Sequence, residues 1–299
     1  MAMLQSKTPS APNAVSVGAR RGIRPTQVLL HIALLVFLLL TLYPLVSLVF
    51  LSFKNPIQWL NQTWVPTFPL RVQNYSTAWT QIDHYLFNTV LVGVSGCAGM
   101  LVLSSLTAFV FARMRFPGRE VFYYAIISLL MVPGILSLIP AFVLYKNLGL
   151  LDTYWVLIIP TATGGSVFGV FLLRTFFAGL PEELFEAARV DGCTVIGLYW
   201  RICIPLSLPI LGTLAILNIV ATWNSFIWPV LTVQNDNLQV ISVGLYRLTD
   251  TLTTSGGDTS AAFGPLFAGY VIGAMPLILL FLVAGKYYVQ GLVSSGLKL

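Results

Sequence analysis

The chain is poor in charge. Only 9% of its 299 residues are Asp, Glu, Lys or Arg, whereas soluble domains carry about 25%. With 57% hydrophobic residues, a water-soluble fold would expose far too much apolar surface, so that class is excluded and an integral membrane protein is indicated. Carboxylates are missing from every long apolar run. All ten (Asp83, Glu120, Asp152, Glu182, Glu183, Glu186, Asp191, Asp236, Asp250 and Asp258) fall in expected loops. A carboxylate at mid-bilayer costs about 2.5–3.5 kcal/mol on insertion scales and is what proton relays use, so a proton-driven carrier is disfavoured. Sodium coupling is less constrained, because backbone carbonyls can bind that ion. Cysteine is scarce: Cys97, Cys193 and Cys203 show no CxxC spacing and read as packing thiols. His31 and His84 lie far from them in sequence, so no metal ligand is expected. None of the five lysines ends a G-x-x-x-x-G-K-[ST] motif; Gly285-Lys286 lacks the earlier glycine and the following hydroxyl. Neither H-E-x-x-H nor G-x-S-x-G occurs, so no catalytic residue and no bound cofactor are expected. The net charge of +6 is spread over the ends of apolar runs, unlike the clustered cations that bind nucleic acid.

Six apolar stretches remain that are long enough to cross about 30 Å of hydrocarbon as helices: 28–50, 87–111, 121–145, 154–177, 204–231 and 266–288. The first is too long for a signal peptide and no small-x-small cleavage site follows, so it reads as an uncleaved anchor. Residues 1–24, rich in Ser, Pro, Ala and Gly, read as a disordered cytoplasmic tail, and 25–299 as one transmembrane domain. Twelve basic residues fall on one side: Lys7, Arg20, Arg21, Arg24, Arg113, Arg115, Arg119, Arg174, Arg189, Arg201, Lys286 and Lys298. Lys54, Arg71, Lys146 and Arg247 fall on the other. Cytoplasmic loops collect Lys and Arg, so both termini and segment 178–203 are expected inside, and the loops near 51–86, 146–153 and 232–265 outside. Prolines recur within spans (Pro44, Pro133, Pro140, Pro160, Pro209, Pro276), each removing a donor and able to kink its helix. Gly165/Gly169 and Gly269/Gly273 have the four-residue spacing that lets helices approach.

The most polar interior segment runs from Pro181 to Pro205. Pro181 suits a first helical turn, Glu182 and Glu183 favour the positive end of the dipole, and Leu184, Phe185 and Ala188 can share a face. Gly192 permits a turn, Thr194 to Ile202 can form a second helix, and Pro205 is expected to begin the return to the membrane. On these grounds alone the segment is either a protein-docking helix pair or an amphipathic linker on the lipid surface.

The run Glu186-Ala187-Ala188, three residues, Gly192, nine residues, Ile202, one residue, Ile204, Pro205 resembles the EAA loop of ABC importer permeases, with isoleucine where leucine is usual at Ile204. Further stretches resemble the carbohydrate permeases of the maltose-transport MalG type: Phe111–Arg119, Asn147–Trp155, Thr222–Pro229 and Tyr288–Leu292. The resemblance implies an all-α integral membrane protein with six transmembrane helices in the type I importer (MetI-like) fold, in a bacterial or archaeal inner membrane. It implies a second homologous permease as partner, a separate ATPase dimer that holds ATP and Mg, and an extracytoplasmic sugar-binding protein. The chain itself would then be no enzyme. Segment 181–203 would form coupling helices, with Glu186, Ala187, Ala188, Asp191, Gly192, Ile202 and Pro205 as the ATPase-coupling residues. The outer loop residues Thr253, Thr254, Ser255, Gly256 and Gly257 would enter the binding protein's cleft. Trp223, Asn224 and Trp228 would line the sugar pathway or belong to an interfacial aromatic belt. The competing readings are an ABC permease for another solute such as glycerol phosphate, a secondary carrier working alone, and a membrane-embedded enzyme.

Overall fold

The computed structural model describes the backbone over residues 25–254 and 259–296 and the side chains over 26–251 and 262–285. The tail 1–24 and the loop residues Ser255, Gly256 and Gly257 lie outside the described residues. Among those described, every regular element is helical. The chain divides into two units, Met1–Ser47 and Leu48–Leu299. In the first, the described residues belong to α1 (Pro25–Ser52), whose apolar side chains such as Leu29, Phe37 and Leu40 are exposed on all sides. A helix apolar all round needs a lipid or protein environment.

The second unit opens with a short α2 (Pro56–Asn61), started by a reciprocal cap in which the Asn55 side chain accepts from Gln58 N at 2.9 Å and Gln58 Oε1 accepts from Asn55 N at 3.0 Å. Its centre is α3 (Gln73–Arg113). At 41 residues α3 is about 60 Å long, twice the hydrocarbon thickness, and it packs along α6, α7, α10, α12 and α13. The expected second span began at 87; the helix begins fourteen residues earlier, because 73–86 carries inward apolar positions at helical spacing, Ala78, Ile82 and Tyr85, all buried.

The expected third span is not one straight helix. It consists of α4 (Arg119–Ser128), short 3-10 turns over Leu129–Met131 and Gly134–Ser137, and α5 (Leu138–Asn147), with a 96° bend between the halves. Pro133 supplies no N–H and drives Val132 into extended backbone (φ −83°, ψ 116°). The fourth span is α6 (Trp155–Gly164) and α7 (Ser166–Ala178), jointed at Gly165. Close packing holds α7 on α3: a Cβ on Gly169 would stand 2.7 Å from Ser104 Cβ, so only glycine fits. Among the described residues, five helices are long and apolar enough to cross a membrane, and six if the bent pair counts as one span.

Between spans four and five stand α8 (Glu182–Val190) and α9 (Val195–Leu198). Pro205 was expected to begin the return to the membrane, and it stands in the first turn of α10 (Ile204–Trp223), which α9 enters through a π-helical turn, Tyr199–Cys203, giving 29 continuous helical residues. Ile204 N bonds Tyr199 O, five residues back. That wider turn relieves the proline ring's clash with the carbonyl four residues before it. The fifth span also ends sooner than expected. It stops at Trp223, and 227–232 forms a separate α11 (Ile227–Thr232).

The segment 232–265, expected as an outer loop, contains α12 (Ile241–Thr254), so Thr253 and Thr254 close a helix. The last helix, α13 (Thr259–Gly296), is longer than the expected span. A buried polar layer joins these parts. Asn88 Nδ2 donates to Asn237 O (2.8 Å) and Gln239 O (2.9 Å), Tyr154 Oη donates to Asn88 Oδ1 (2.8 Å), and Ile241 N donates to Thr89 Oγ1 (2.7 Å). Asp152, at φ 56°, accepts from Gln234 N and Asn235 N.

Candidate functional site

The polar segment closes on itself by backbone geometry. Gly192 lies in the left-handed region (φ 78°) directly after α8. Cys193 N donates to Ala188 O (2.9 Å) and Gly192 N to Arg189 O (3.0 Å), a Schellman pair that satisfies carbonyls left free at the helix end. Thr194 then caps α9, its Oγ1 accepting from Gly197 N at 3.2 Å. Around Gly192 a Cβ would meet nothing within 4 Å, so backbone conformation, not crowding within the chain, requires glycine.

One side of α8 is seated in the bundle. Phe185 is fully buried in a core with Phe109, Leu173, Phe177, Leu198 and Cys203, and Ala188 and Ile202 pack against the same cluster. Of the residues expected on one apolar face, Phe185 and Ala188 turn inward while Leu184 is 44% exposed. The other side is open: Glu186, Ala187, Asp191 and Gly192 are exposed. Exposed Val190, Val195, Ile196 and Trp200 continue this surface onto α9 and the π turn. Pro205 is exposed further along. A surface mixing carboxylates with uncovered aliphatic groups is what a protein partner would cover.

A residue missed by sequence reasoning holds α8 in place. Arg113, at the end of α3, donates Nη2 to Phe177 O (2.5 Å) and Leu180 O (2.7 Å), and Nη1 to Glu182 Oε2 (2.6 Å). Its guanidinium lies 3.9 Å from the Phe185 ring centre. The side chain is only 9% exposed. One arginine thus ties α3 to the end of α7 and the start of α8. Nothing local in the sequence separates Arg113 from Arg115; the structure does, because α3 ends at Arg113 and Arg115 lies beyond the extended cap Met114. Arg174 similarly joins α7 to α4, with Nη2 at 2.9 Å from both Glu120 oxygens and its guanidinium 3.9 Å from the Tyr123 ring centre.

The three expected pathway residues do not form one site. Trp223 and Asn224 line a groove of about 520 Å³ with Tyr246 and Tyr270, and Trp223 Nε1 donates to Gly273 O (3.1 Å). Trp228 lines a different cavity, of about 410 Å³, between α6, α7 and α10, and its Nε1 donates to Val156 O (2.7 Å). Asn218, which sequence reasoning passed over, also lines that second cavity. Its signal was an amide in the middle of an apolar span. Among the described residues, no three His, Cys, Asp or Glu side chains group closely enough to hold a metal ion.

Comparison with known proteins places this geometry. Residues 100–293 match the family described as binding-protein-dependent transport system inner membrane component. The chain is 35% identical over 266 residues to the probable ABC transporter permease protein YurM of Bacillus subtilis, covering 89% of this chain and 86% of that protein. It is 30% identical to the arabinooligosaccharides transport system permease protein AraQ of Halalkalibacterium halodurans (87% and 92% covered). It is also 30% identical to the sn-glycerol-3-phosphate transport system permease protein UgpE of Yersinia pestis (92% and 98% covered). Its fold is similar to a chain of a bacterial ABC transporter involved in the import of the acidic polysaccharide alginate, with TM-score 0.78, 22% identity and coverage of 91% and 100%.

Proposed function

The chain belongs to the family of binding-protein-dependent transport system inner membrane components, and from that premise we propose that it is the permease subunit of an ATP-driven carbohydrate importer, probing a partner ATPase with α8. It supplies half of a translocation pathway, pairing with a second homologous permease. An ATPase dimer docks beneath and holds the ATP and Mg, and an extracytoplasmic binding protein delivers sugar. In a bacterial or archaeal inner membrane both termini and α8 face the cytoplasm, as the bias of Lys and Arg supports.

The observation that carries this reading is the two-sided α8. Phe185 and Arg113 anchor one side in the bundle, while Glu186, Ala187 and Asp191 stand free on the other. A helix docked by its outer face into an ATPase cleft and fixed by its inner face moves as part of the bundle. The unbroken helix Val195–Trp223 carries that displacement into the fifth span. ATP binding shifts the equilibrium only by differential affinity for two arrangements of the permease pair, so a rigid connection is what converts ATPase closure into a change of access. Ala188, Gly192, Ile202 and Pro205 shape the seat and the turn, and the exposed residues make the contact.

Carbohydrate is favoured over a phosphorylated solute by the basic residues' commitments. Arg174, the cation nearest a span interior, is engaged by both oxygens of Glu120 and lies over Tyr123, which leaves it poorly disposed to meet a phosphate. AraQ, a relative named for arabinooligosaccharides, agrees with this choice. The test is Glu186→Arg. The carboxylate is exposed, so reversing its charge leaves the bundle folded. We expect co-purification of the ATPase to fall at least tenfold and uptake to be lost, with the thermal transition of the permease pair unchanged. Full ATPase recovery and uptake would overturn the docking role of α8.

A further inference from the structure

We propose that Tyr199 is a positioning residue of the transport cycle, and that its hydroxyl, bonded to Ser105, delivers the displacement of α8 and α9 to α3. The inference rests on the ATPase-coupling reading above and adds the residue pair through which the long second span is moved. Tyr199 opens the π turn between α9 and α10. It is 4% exposed and Ser105 2%, and their hydroxyl oxygens stand 2.7 Å apart. The neighbours fix the direction of the bond. Ser105 Oγ donates its proton to Leu101 O at 2.6 Å, so Tyr199 donates and Ser105 accepts. Phe109 and Trp200 both meet the Tyr199 ring edge-on, with ring centres 5.5 Å and 5.0 Å away, which holds the hydroxyl on its target.

This bond gives α3 a second hold on the polar segment. The first is Arg113, tied to Phe177 O, Leu180 O and Glu182. Ser105 precedes Arg113 on the same helix by about two turns, roughly 12 Å along the axis. A helix held at one point can pivot about it; held at two, it must follow the body that holds it. Arg113 grips α3 from α7 and α8, and Tyr199 grips it from the root of the fifth span. Ring packing alone does not set that register, because apolar contact is non-directional, whereas a hydroxyl pair fixes one distance and one direction. Without the hydroxyl, α9 and α10 can slip along α3 as the ATPase closes, and ATP is hydrolysed with no change of access. The grip also has reach. At its opposite end α3 packs Ile82 and Tyr85 against Ile241 and Leu248 of α12, so a stroke delivered at Ser105 arrives there.

The experiment uses the whole importer, permease pair and ATPase, in proteoliposomes with its binding protein. Arabinotriose, diacetylchitobiose and sn-glycerol 3-phosphate are offered as probes. Solute taken up per ATP hydrolysed is measured with the thermal transition of the assembled complex, for wild type, Tyr199→Phe, Ser105→Ala and the double variant. Tyr199→Phe keeps the ring and strands no donor, since Ser105 still donates to Leu101 O. It should lower the ratio of uptake to ATP about two- to tenfold, the factor that one net hydrogen bond supplies, with assembly unchanged. Ser105→Ala should lower the ratio equally and also lower the thermal transition, because the Tyr199 proton is then buried without its acceptor. The double variant should regain the thermal transition of Tyr199→Phe with no further loss of ratio, since both substitutions break the same bond. A role in stability alone would move the thermal transition and leave the ratio at its wild-type value; that result in both single variants would overturn the grip and leave the importer reading standing. Losses that multiply in the double variant would overturn it too, the two hydroxyls then acting separately. A wild type that couples ATP hydrolysis to uptake of none of the probes would overturn the importer reading and the grip together.

Discussion

At Gly192 a single backbone angle sets the shape of the exposed segment. With φ at 78° and no neighbour within 4 Å of a built Cβ, a substitution there is penalised through conformation alone. Left-handed backbone costs about 1–2 kcal/mol for most L-residues, and Asn tolerates it best. Gly192→Asn should therefore retain uptake within about twofold, whereas Gly192→Val should open the turn and lower uptake severalfold. Uptake assays and limited proteolysis between α8 and α9 would separate the two; equal behaviour would assign the glycine to close contact with the partner instead. The glycine and its spacing from Glu186 were legible in the sequence, because the motif is written in consecutive residues. Which of its members turn inward was not: Ala188 and Ile202 pack against the core, and Ala187 does not, a division set by helical phase relative to α3 and α7.

At the scale of elements, the question is what makes α8 rigid. Two arginines reach Glu182, and magnitudes separate them. Arg189 and Glu182 are both about half exposed, at 49% and 51%, so their pair contributes under about 1 kcal/mol. Arg113 is 9% exposed and satisfies two backbone carbonyls besides the carboxylate. Removing it strands those carbonyls, at about 1–3 kcal/mol each where they are cut off from water. We expect Arg113→Met to lower the thermal transition of the detergent-solubilised permease by several degrees and to leave ATP hydrolysis running with little uptake, while Arg189→Ala changes neither. Equal effects of the two would show that α8 is held by Phe185 packing alone. The joints between elements were only partly legible. Prolines marked them, but a proline names a place of weakness and not its outcome: Pro133 stands at a 96° bend, whereas Pro205 is absorbed by a π turn in a continuous helix. Neighbouring helices choose between these results, through the packing each leaves available.

For the whole molecule, α3 is the axis against which spans four, five and six pack, and the polar layer around Asn88 ties Tyr154 and the segment Asn237–Gln239 to it. The segment expected to enter a binding protein's cleft is Thr253–Gly257. If it reaches into a binding protein, deleting Thr253–Gly257 should cut binding-protein-dependent uptake about tenfold or more while membrane insertion and ATPase association stay normal; unchanged uptake would make it a simple connector.

Several properties of this protein follow from its sequence by itself. Membrane residence, the number of apolar stretches and the location of the polar segment all depend on composition and charge summed along the chain, and those sums need no knowledge of contacts. The motif around Glu186 and Gly192 was equally accessible, since its residues lie close together in sequence. Only the tertiary structure decided that Trp223 and Trp228 serve different cavities, that Arg113 and not Arg115 pins α8, and that Asn218 keeps a carbonyl without a donor. Each of these depends on side chains from distant helices meeting at a particular rotation, and a pattern along one helix carries no information about the phase of the next.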